Sequence, residues 1–168
     1  MNDSEWIEDL RRRVRLDPAS IAFAQLAEEL RRAGQWADAV ETCRAGLAMH
    51  PSYAAARVTL ARALIELNEL EAATSEIERA VADAPDNVRA IRTRADIYQR
   101  RGRLSEALAQ YQLALSMTRG DPVLAETVST LLRQVDPAAA ERERDRRTIE
   151  ALEQWLDAIH VARADARA

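Results

Sequence analysis

Lysine is absent from this 168-residue chain, and cysteine, histidine, glycine and aromatic residues are scarce. The single cysteine, Cys43, excludes an intramolecular disulfide. Together with His50 and His160 it offers too few ligands, too far apart, for the three or four that zinc normally takes. The four glycines are scattered and form no phosphate-binding loop. We therefore predict no metal, no cofactor and no catalytic site, and a protein that is not an enzyme.

Long apolar runs are also missing. No stretch approaches the roughly 20 apolar residues of a membrane-spanning helix, and acids occupy the N-terminus where a signal peptide needs basic residues. We expect no membrane insertion and a cytoplasmic location. The net charge of −4 argues against nucleic acid as a partner. The arginine-only basic set indicates a GC-rich bacterial source, or else selection for bidentate carboxylate or phosphate binding.

Small residues recur at a fixed spacing of 34 residues. Such a period is typical of helix–turn–helix units that stack into a solenoid. The small side chains let two helices approach closely while large neighbours fill the space beside them. The three series are Ala27, Ala61 and Ala95; Ala39, Ala73 and Ala107; and Gly46, Ala80 and Ala114.

Proline, glycine and asparagine divide the chain into predicted segments. An amphipathic N-terminal helix occupies residues 1–17, because Asp17-Pro18 disfavours helix. Three helical hairpins follow within residues 18–121, at 20–53, 54–87 and 88–121, with breaks at Gly34, near Asn68 and at Gly102. Residues 122–136 resemble the first helix of a fourth unit. A long charged and amphipathic helix occupies residues 137–168.

This pattern resembles the tetratricopeptide repeat family, which has eight signature positions in each unit. The resemblance implies an all-α right-handed solenoid of three hairpins, flanked by an N-terminal helix and two C-terminal helices. It also implies binding rather than catalysis. The matching residues are Phe23, Leu26, Ala27, Leu30, Ala39, Cys43, Gly46 and Pro51; Arg57, Leu60, Ala61, Leu64, Ala73, Ile77, Ala80 and Pro85; and Ile91, Arg94, Ala95, Tyr98, Ala107, Tyr111, Ala114 and Arg119.

Two arginines depart from the signature. Arg57 and Arg94 occupy positions that are usually apolar in the family. We expect each stem to cover apolar surface while the guanidinium group reaches water.

In this family the first helix of each hairpin lines a concave groove. Carried onto this chain, the groove is mixed in the first two hairpins and rich in arginine in the third, and the forked guanidinium of arginine binds carboxylates in pairs of hydrogen bonds. We predict a protein or peptide partner with acidic and apolar residues. The alternative is a solvated surface with Glu28–Arg62 and Asp96–Arg62 ion pairs. The predicted groove residues are Glu28, Arg62, Arg89, Arg92, Asp96 and Arg100.

One subgroup of the family clamps the acidic tails of heat-shock chaperones with basic and asparagine residues. The matching positions here hold Ala24, Glu28, Thr59, Arg89 and Thr93, of which only Arg89 fits. We therefore expect this chain not to be a chaperone-tail clamp.

The C-terminal helix is a second candidate site. It can cap the last hairpin, pair with another copy as a homodimer, or lie in a groove and block it. The residues for capping or self-association are Ile149, Leu152, Trp155, Leu156 and Ile159.

These observations predict a non-enzymatic protein–protein interaction scaffold or adaptor that binds a peptide or helix in its concave groove. Two alternatives stay open. One is a dedicated chaperone or assembly factor for a bacterial secretion or envelope system. The other is a non-catalytic regulatory subunit of an enzyme.

Overall fold

A computed structural model describes the backbone of residues 3–165. Within that range the side chains at 3, 139, 140, 143, 157 and 160–165 are excepted, so His160 and the outermost residues of both predicted terminal segments lie outside the description. The described residues form nine helices: α1 (Asp3–Leu16), α2 (Ala22–Arg32), α3 (Trp36–Met49), α4 (Ala54–Glu66), α5 (Leu70–Asp83), α6 (Val88–Arg100), α7 (Leu104–Met117), α8 (Pro122–Val135) and α9 (Pro137–Asp165).

The chain divides into two compact units, Met1–Asp121 and Pro122–Ala168. In the first, the hairpins α2–α3, α4–α5 and α6–α7 each pack as a pair, and α1 packs on α2. The first helices also touch one another, α2 with α4 and α4 with α6, so they form one continuous layer. The predicted all-α solenoid of three hairpins is confirmed.

The small signature residues lie where helices cross. Ala27, Ala61 and Ala95 of the first helices have no exposed surface, and neither do Ala39, Ala73 and Ala107 of the second helices. Large buried residues such as Leu30, Leu64 and Ile77 fill the adjoining space. This alternation of small and large side chains is what lets the hairpins stack closely.

Ala95 offers a direct test of this packing. We expect Ala95→Leu to lower the free energy of unfolding by about 1–3 kcal/mol, because the added atoms overpack a fully buried crossing. Urea unfolding followed by circular dichroism measures the change. Leucine at the exposed Ala48 serves as the control. An unaltered midpoint for Ala95→Leu would show that this position is not a close helix crossing.

The turns inside the three hairpins share one geometry. Gly34, Asn68 and Gly102 each follow the first helix and adopt a left-handed backbone, with φ of 76°, 60° and 73°. This conformation suits glycine and is tolerated by asparagine. The chain therefore reverses direction in the same way in every hairpin.

The two arginines at apolar signature positions both bond to polar groups of the protein. The Arg57 side chain is only 12% exposed, its Nη1 donates to Oε2 of Glu76 at 2.7 Å, and its Nη2 donates to the carbonyl of Pro51. The half-buried Arg94 donates from Nε to Oε1 of Gln110 at 3.1 Å. The prediction that the guanidinium group reaches water is wrong for Arg57, because Glu76 and the Pro51 carbonyl hold it inside the protein, where its Nε is buried without a hydrogen-bond partner.

The second unit holds α8 and α9, which contact each other. In α8, Leu124, Val128 and Leu131 are buried. The 29-residue α9 carries most of its charged residues before Ile149, and Ile149, Leu152 and Leu156 are exposed.

Candidate functional site

The layer formed by α2, α4 and α6 is the inner side of the hairpin stack. These first helices touch one another, whereas the described second helices α3, α5 and α7 do not, so the stack is tighter along the first-helix side. A stack that is closer on one side curves towards that side. All six predicted groove residues lie on these three helices.

Glu28 lies at the centre of an arginine cluster. Its carboxylate accepts hydrogen bonds from Nε and Nη2 of Arg31 at 3.1 and 3.0 Å. The guanidinium groups of Arg62 on α4 and Arg89 on α6 each lie 3.7 Å from Oε1. Burial alone would raise the pKa of Glu28, but the Arg31 hydrogen bond and the three arginine charges hold it at about 2. Glu28 therefore stays ionised and acts as a counter-ion within the groove.

The arginines on α6 are paired more weakly. Nη2 of Arg100 lies 3.6 Å from Oε2 of Glu66, beyond hydrogen-bonding distance. Arg92 donates from Nη1 to Oδ2 of Asp121 at 3.2 Å. The Arg89, Arg92 and Arg100 side chains keep 60%, 40% and 50% of their surface exposed. Because exposed pairs contribute little to stability, these guanidinium groups can exchange their present partners for those of a ligand.

A pocket of about 350 Å³ lies between α4 and α6. The buried Ile65 supplies an apolar part of its wall. Asp96 accepts a hydrogen bond from the hydroxyl of the buried Tyr111, and burial raises the pKa of its carboxyl. The pocket thus combines an apolar surface with guanidinium and carboxylate groups. Its lining residues are Arg62, Ile65, Glu66, Asp96, Gln99 and Arg100.

The structure brings Arg62, Asp96 and Arg100 together in this pocket. Glu28 and Arg89 meet in the neighbouring cluster. Arg92 pairs with Asp121, the last residue of the first unit. The other three lining residues, Ile65, Glu66 and Gln99, also occupy positions of the first helices that the family resemblance assigns to the groove.

The positions of the chaperone-tail clamp are used internally. Thr59 and Thr93 are buried. The Thr59 hydroxyl donates to Glu28 at 3.3 Å, and the Thr93 hydroxyl donates to the Arg89 carbonyl at 2.8 Å. Neither side chain is therefore offered to a ligand, in keeping with the poor match seen in the sequence.

Other candidate chemistry has structural explanations. Nε2 of His50 lies 2.6 Å from the Ala19 carbonyl, and its ring stacks on Phe23. Cys43 is buried, and burial raises the pKa of its thiol to about 12. Over the side chains that the structure describes, no cluster of histidine, cysteine and acidic residues could hold a metal ion. None of the helices within residues 3–165 has both the length and the apolar character needed to cross a bilayer.

The second predicted site lies on α9. Ile149, Leu152, Trp155 and Leu156 are exposed, by 56%, 54%, 62% and 48%, and Ile159 is partly exposed. All five lie within residues 149–159 of one uninterrupted helix.

Three stacked hairpins with small residues at every crossing define a helical-repeat solenoid. Residues 30–94 match the tetratricopeptide repeat family. This match, over residues 30–94, bears out the resemblance drawn from the signature residues. No curated protein sequence matches it.

Solved structures share its fold at low sequence identity. MamA from Desulfovibrio magneticus RS-1 (residue 41 to the end) is 18% identical, with a TM-score of 0.73 over 90% of this chain and 86% of that one. A thermophilic tetratricopeptide repeat protein of Thermus thermophilus is 24% identical, with a TM-score of 0.67 over 75% and 71%. The first such domain of Spaghetti, bound to the HSP90 peptide SRMEEVD, is 16% identical, with a TM-score of 0.65 over 70% and 94%.

Proposed function

We propose that this chain is a non-enzymatic interaction scaffold, whose α2–α4–α6 groove binds a segment of a partner protein that carries acidic and apolar residues. The observation that carries the proposal is the set of exposed, weakly paired arginines beside a partly apolar pocket. Arg89 and Arg100 face their nearest carboxylates at 3.7 and 3.6 Å, too far for hydrogen bonds.

A ligand carboxylate can form stronger hydrogen bonds with these arginines than their present partners do. Charge-assisted bidentate pairs are shorter and about twice as strong as neutral hydrogen bonds. The intramolecular carboxylates cannot supply this geometry to every arginine, because Glu28 alone is shared by Arg31, Arg32, Arg62 and Arg89. Because these four guanidinium groups share one carboxylate, some of their N–H donors can bind a ligand carboxylate.

The pocket provides the apolar contact in the proposed binding of the partner segment. Ile65 gives an apolar contact, and Gln99 gives an exposed amide at the rim. Apolar surface with a few convergent polar groups is the usual composition of a ligand site. A segment with an apolar side chain next to an acidic one would fill the pocket and reach Arg62 or Arg100.

The structural neighbours are compatible with this proposal. The Spaghetti domain, which shares the fold over 70% of this chain, binds an HSP90 peptide that contains two glutamates and a terminal aspartate. Two of the clamp positions of this chain hold the buried threonines Thr59 and Thr93 instead. We therefore propose an acidic segment as ligand, but one held by arginines and an apolar pocket rather than by a clamp for a chain terminus.

Charge reversal in the groove tests the proposal. We expect Arg89→Glu/Arg92→Glu/Arg100→Glu to lose partners that the wild type captures from host lysate, as read by mass spectrometry. Candidate segments are then synthesised with and without glutamine in place of each glutamate. We expect at least about tenfold weaker binding for the groove variant or for a glutamine peptide, since hydrogen bonds to charged groups contribute about 1.5–3 kcal/mol.

The matched control is Arg15→Glu/Arg44→Glu/Arg119→Glu, which makes the same charge change at exposed positions away from the first-helix layer. This variant should retain the partners and the peptide affinities. Equal binding by the groove variant and the wild type would rule out the groove as the site.

A further inference from the structure

Residues 149–159 of α9 present an apolar stripe to solvent. Ile149, Leu152 and Leu156 keep 56%, 54% and 48% of their surface exposed, and Trp155 beside them keeps 62%. Ile159 extends the stripe and is partly exposed. Contiguous large apolar side chains on a surface mark a contact with another molecule.

The spacing along the stripe is that of a coiled-coil seam. Successive members are three, four and three residues apart, from Ile149 through Leu152 and Leu156 to Ile159. Residues at these intervals share one face of a helix. An average spacing of 3.5 residues allows two helices to pack with interlocking side chains over the whole stripe. The fitting occupant is therefore another helix.

The order of side chains in the stripe is the same in both directions: Ile, Leu, Leu, Ile, at intervals that also read the same either way. A two-fold axis near Gln154 would place Ile149 against Ile159 of a second copy, and Leu152 against Leu156. A two-fold interface requires a patch that is complementary to itself. This stripe meets that condition, and a second copy of the chain is the occupant that it fits.

The flanking charges select the antiparallel arrangement. Asp145 and Arg142 continue the same spacing towards the start of the helix. In a parallel pair in register, each would face its own counterpart in the seam, and like charges placed together are destabilising. An antiparallel pair removes both repulsions. Near the axis it brings Glu153 close to Glu153 of the second copy, which moderates the affinity.

We propose that the chain forms a reversible antiparallel dimer through the stripe Ile149–Leu152–Leu156–Ile159. The half-exposed Leu, Ile and Trp side chains of two copies would together bury roughly 800–1,000 Å². This area falls below the roughly 1,200 Å² of stable interfaces and within the range of transient ones. The dimer is therefore transient and concentration-dependent.

Sedimentation equilibrium of the full chain tests the dimer. The wild-type mass is expected to rise from 18.8 kDa towards twice that value with concentration. Leu152→Glu/Leu156→Glu should weaken dimerisation at least about a hundredfold, because burial of unpaired carboxylates is costly. Ala151→Glu/Gln154→Glu adds the same charges to the opposite face and should dimerise like the wild type. Glu153→Gln should dimerise more tightly.

Disulfide trapping tests the orientation. In an antiparallel pair, a chain with Ile149→Cys should cross-link to a chain with Ile159→Cys in a mixture, and neither should cross-link to itself. The wild type should not cross-link, because its Cys43 is buried. A monomer at every concentration, or dimerisation of Leu152→Glu/Leu156→Glu like the wild type, would overturn the proposal. Self-cross-linking of Ile149→Cys would overturn the antiparallel arrangement.

Discussion

Gly46→Ala should lower the free energy of unfolding by about 2 kcal/mol, although glycine to alanine inside a helix normally stabilises by about 0.5–1 kcal/mol. The reversal has a steric cause. A Cβ atom at position 46 would lie 2.0 Å from Cδ2 and 2.2 Å from Cγ of Phe23, well inside the contact distance. The ring cannot easily retreat, because Phe23 is 1% exposed and packs against the rings of His50 and Tyr53.

Thermal and urea unfolding of four proteins measures this effect: the wild type, Gly46→Ala, Phe23→Leu and the double variant. Because leucine leaves room for the new methyl group, the double variant should be more stable than the sum of the single changes predicts. Strict additivity would mean that Gly46 and Phe23 do not compete for the same space. Ala48→Gly, at a neighbouring exposed position of α3, should cost only about 1 kcal/mol and controls for helix propensity.

Arg57→Leu should destabilise the repeats by about 2–4 kcal/mol, even though the family usually has an apolar residue at this position. The loss leaves the carboxylate of Glu76, 20% exposed and 2.7 Å from the guanidinium in the wild type, without its main counter-ion. Removing one member of a largely buried pair costs more than the pair contributes, because the remaining charge stays poorly solvated.

A double-mutant cycle separates the two costs. Arg57→Leu/Glu76→Leu should recover most of the stability that Arg57→Leu loses, because apolar side chains then replace both charges. Urea unfolding gives the four free energies. Glu126→Leu with Arg133→Leu, an exposed pair 3.5 Å apart on α8, provides a comparison whose coupling should be below about 1 kcal/mol. A double variant as unstable as Arg57→Leu would argue against ion pairing as the cause.

The helices could be predicted from the sequence because the same pattern of residues occurs three times. A small residue every 34 positions and a left-handed residue at Gly34, Asn68 and Gly102 mark the crossings and the turns independently. The ends were harder to place. The first hairpin is predicted to start at residue 20, but its first helix begins at Ala22, because Ser20 and Ile21 still belong to the turn after Asp17-Pro18.

The repeat positions predicted the Glu28–Arg62 pair, whose charged atoms lie 3.7 Å apart, but they did not predict the pairing of Arg57. The position of Arg57 in the unit indicated an apolar environment, but its acidic neighbour Glu76 lies 19 residues away on the other helix of the hairpin. Only the three-dimensional packing of α4 on α5 brings the two together. The packing of the hairpins likewise brings Arg89 of the third hairpin close to Glu28 of the first. Spacing within one helix predicts neighbours three or four residues apart and no others.

The candidate groove was located by family position, while its detailed shape required the packing. Tyr111 was identified as a core residue, and its hydroxyl nevertheless reaches Asp96 in the pocket wall. An aromatic residue with a polar end belongs to both environments at once. A list of groove positions that takes only first-helix residues misses such contributions from the second helix.

The common left-handed turn of the three hairpins constrains how this chain can change in evolution. A residue inserted near the start of the helix that follows Gly34, Asn68 or Gly102 would rotate the later residues by about 100° and turn the small ones away from the crossing. Duplication or loss of a complete hairpin preserves every crossing. The recognition surface of such a protein can therefore lengthen or shorten only by complete hairpins. Its specificity changes through substitutions on a surface whose helix spacing stays the same.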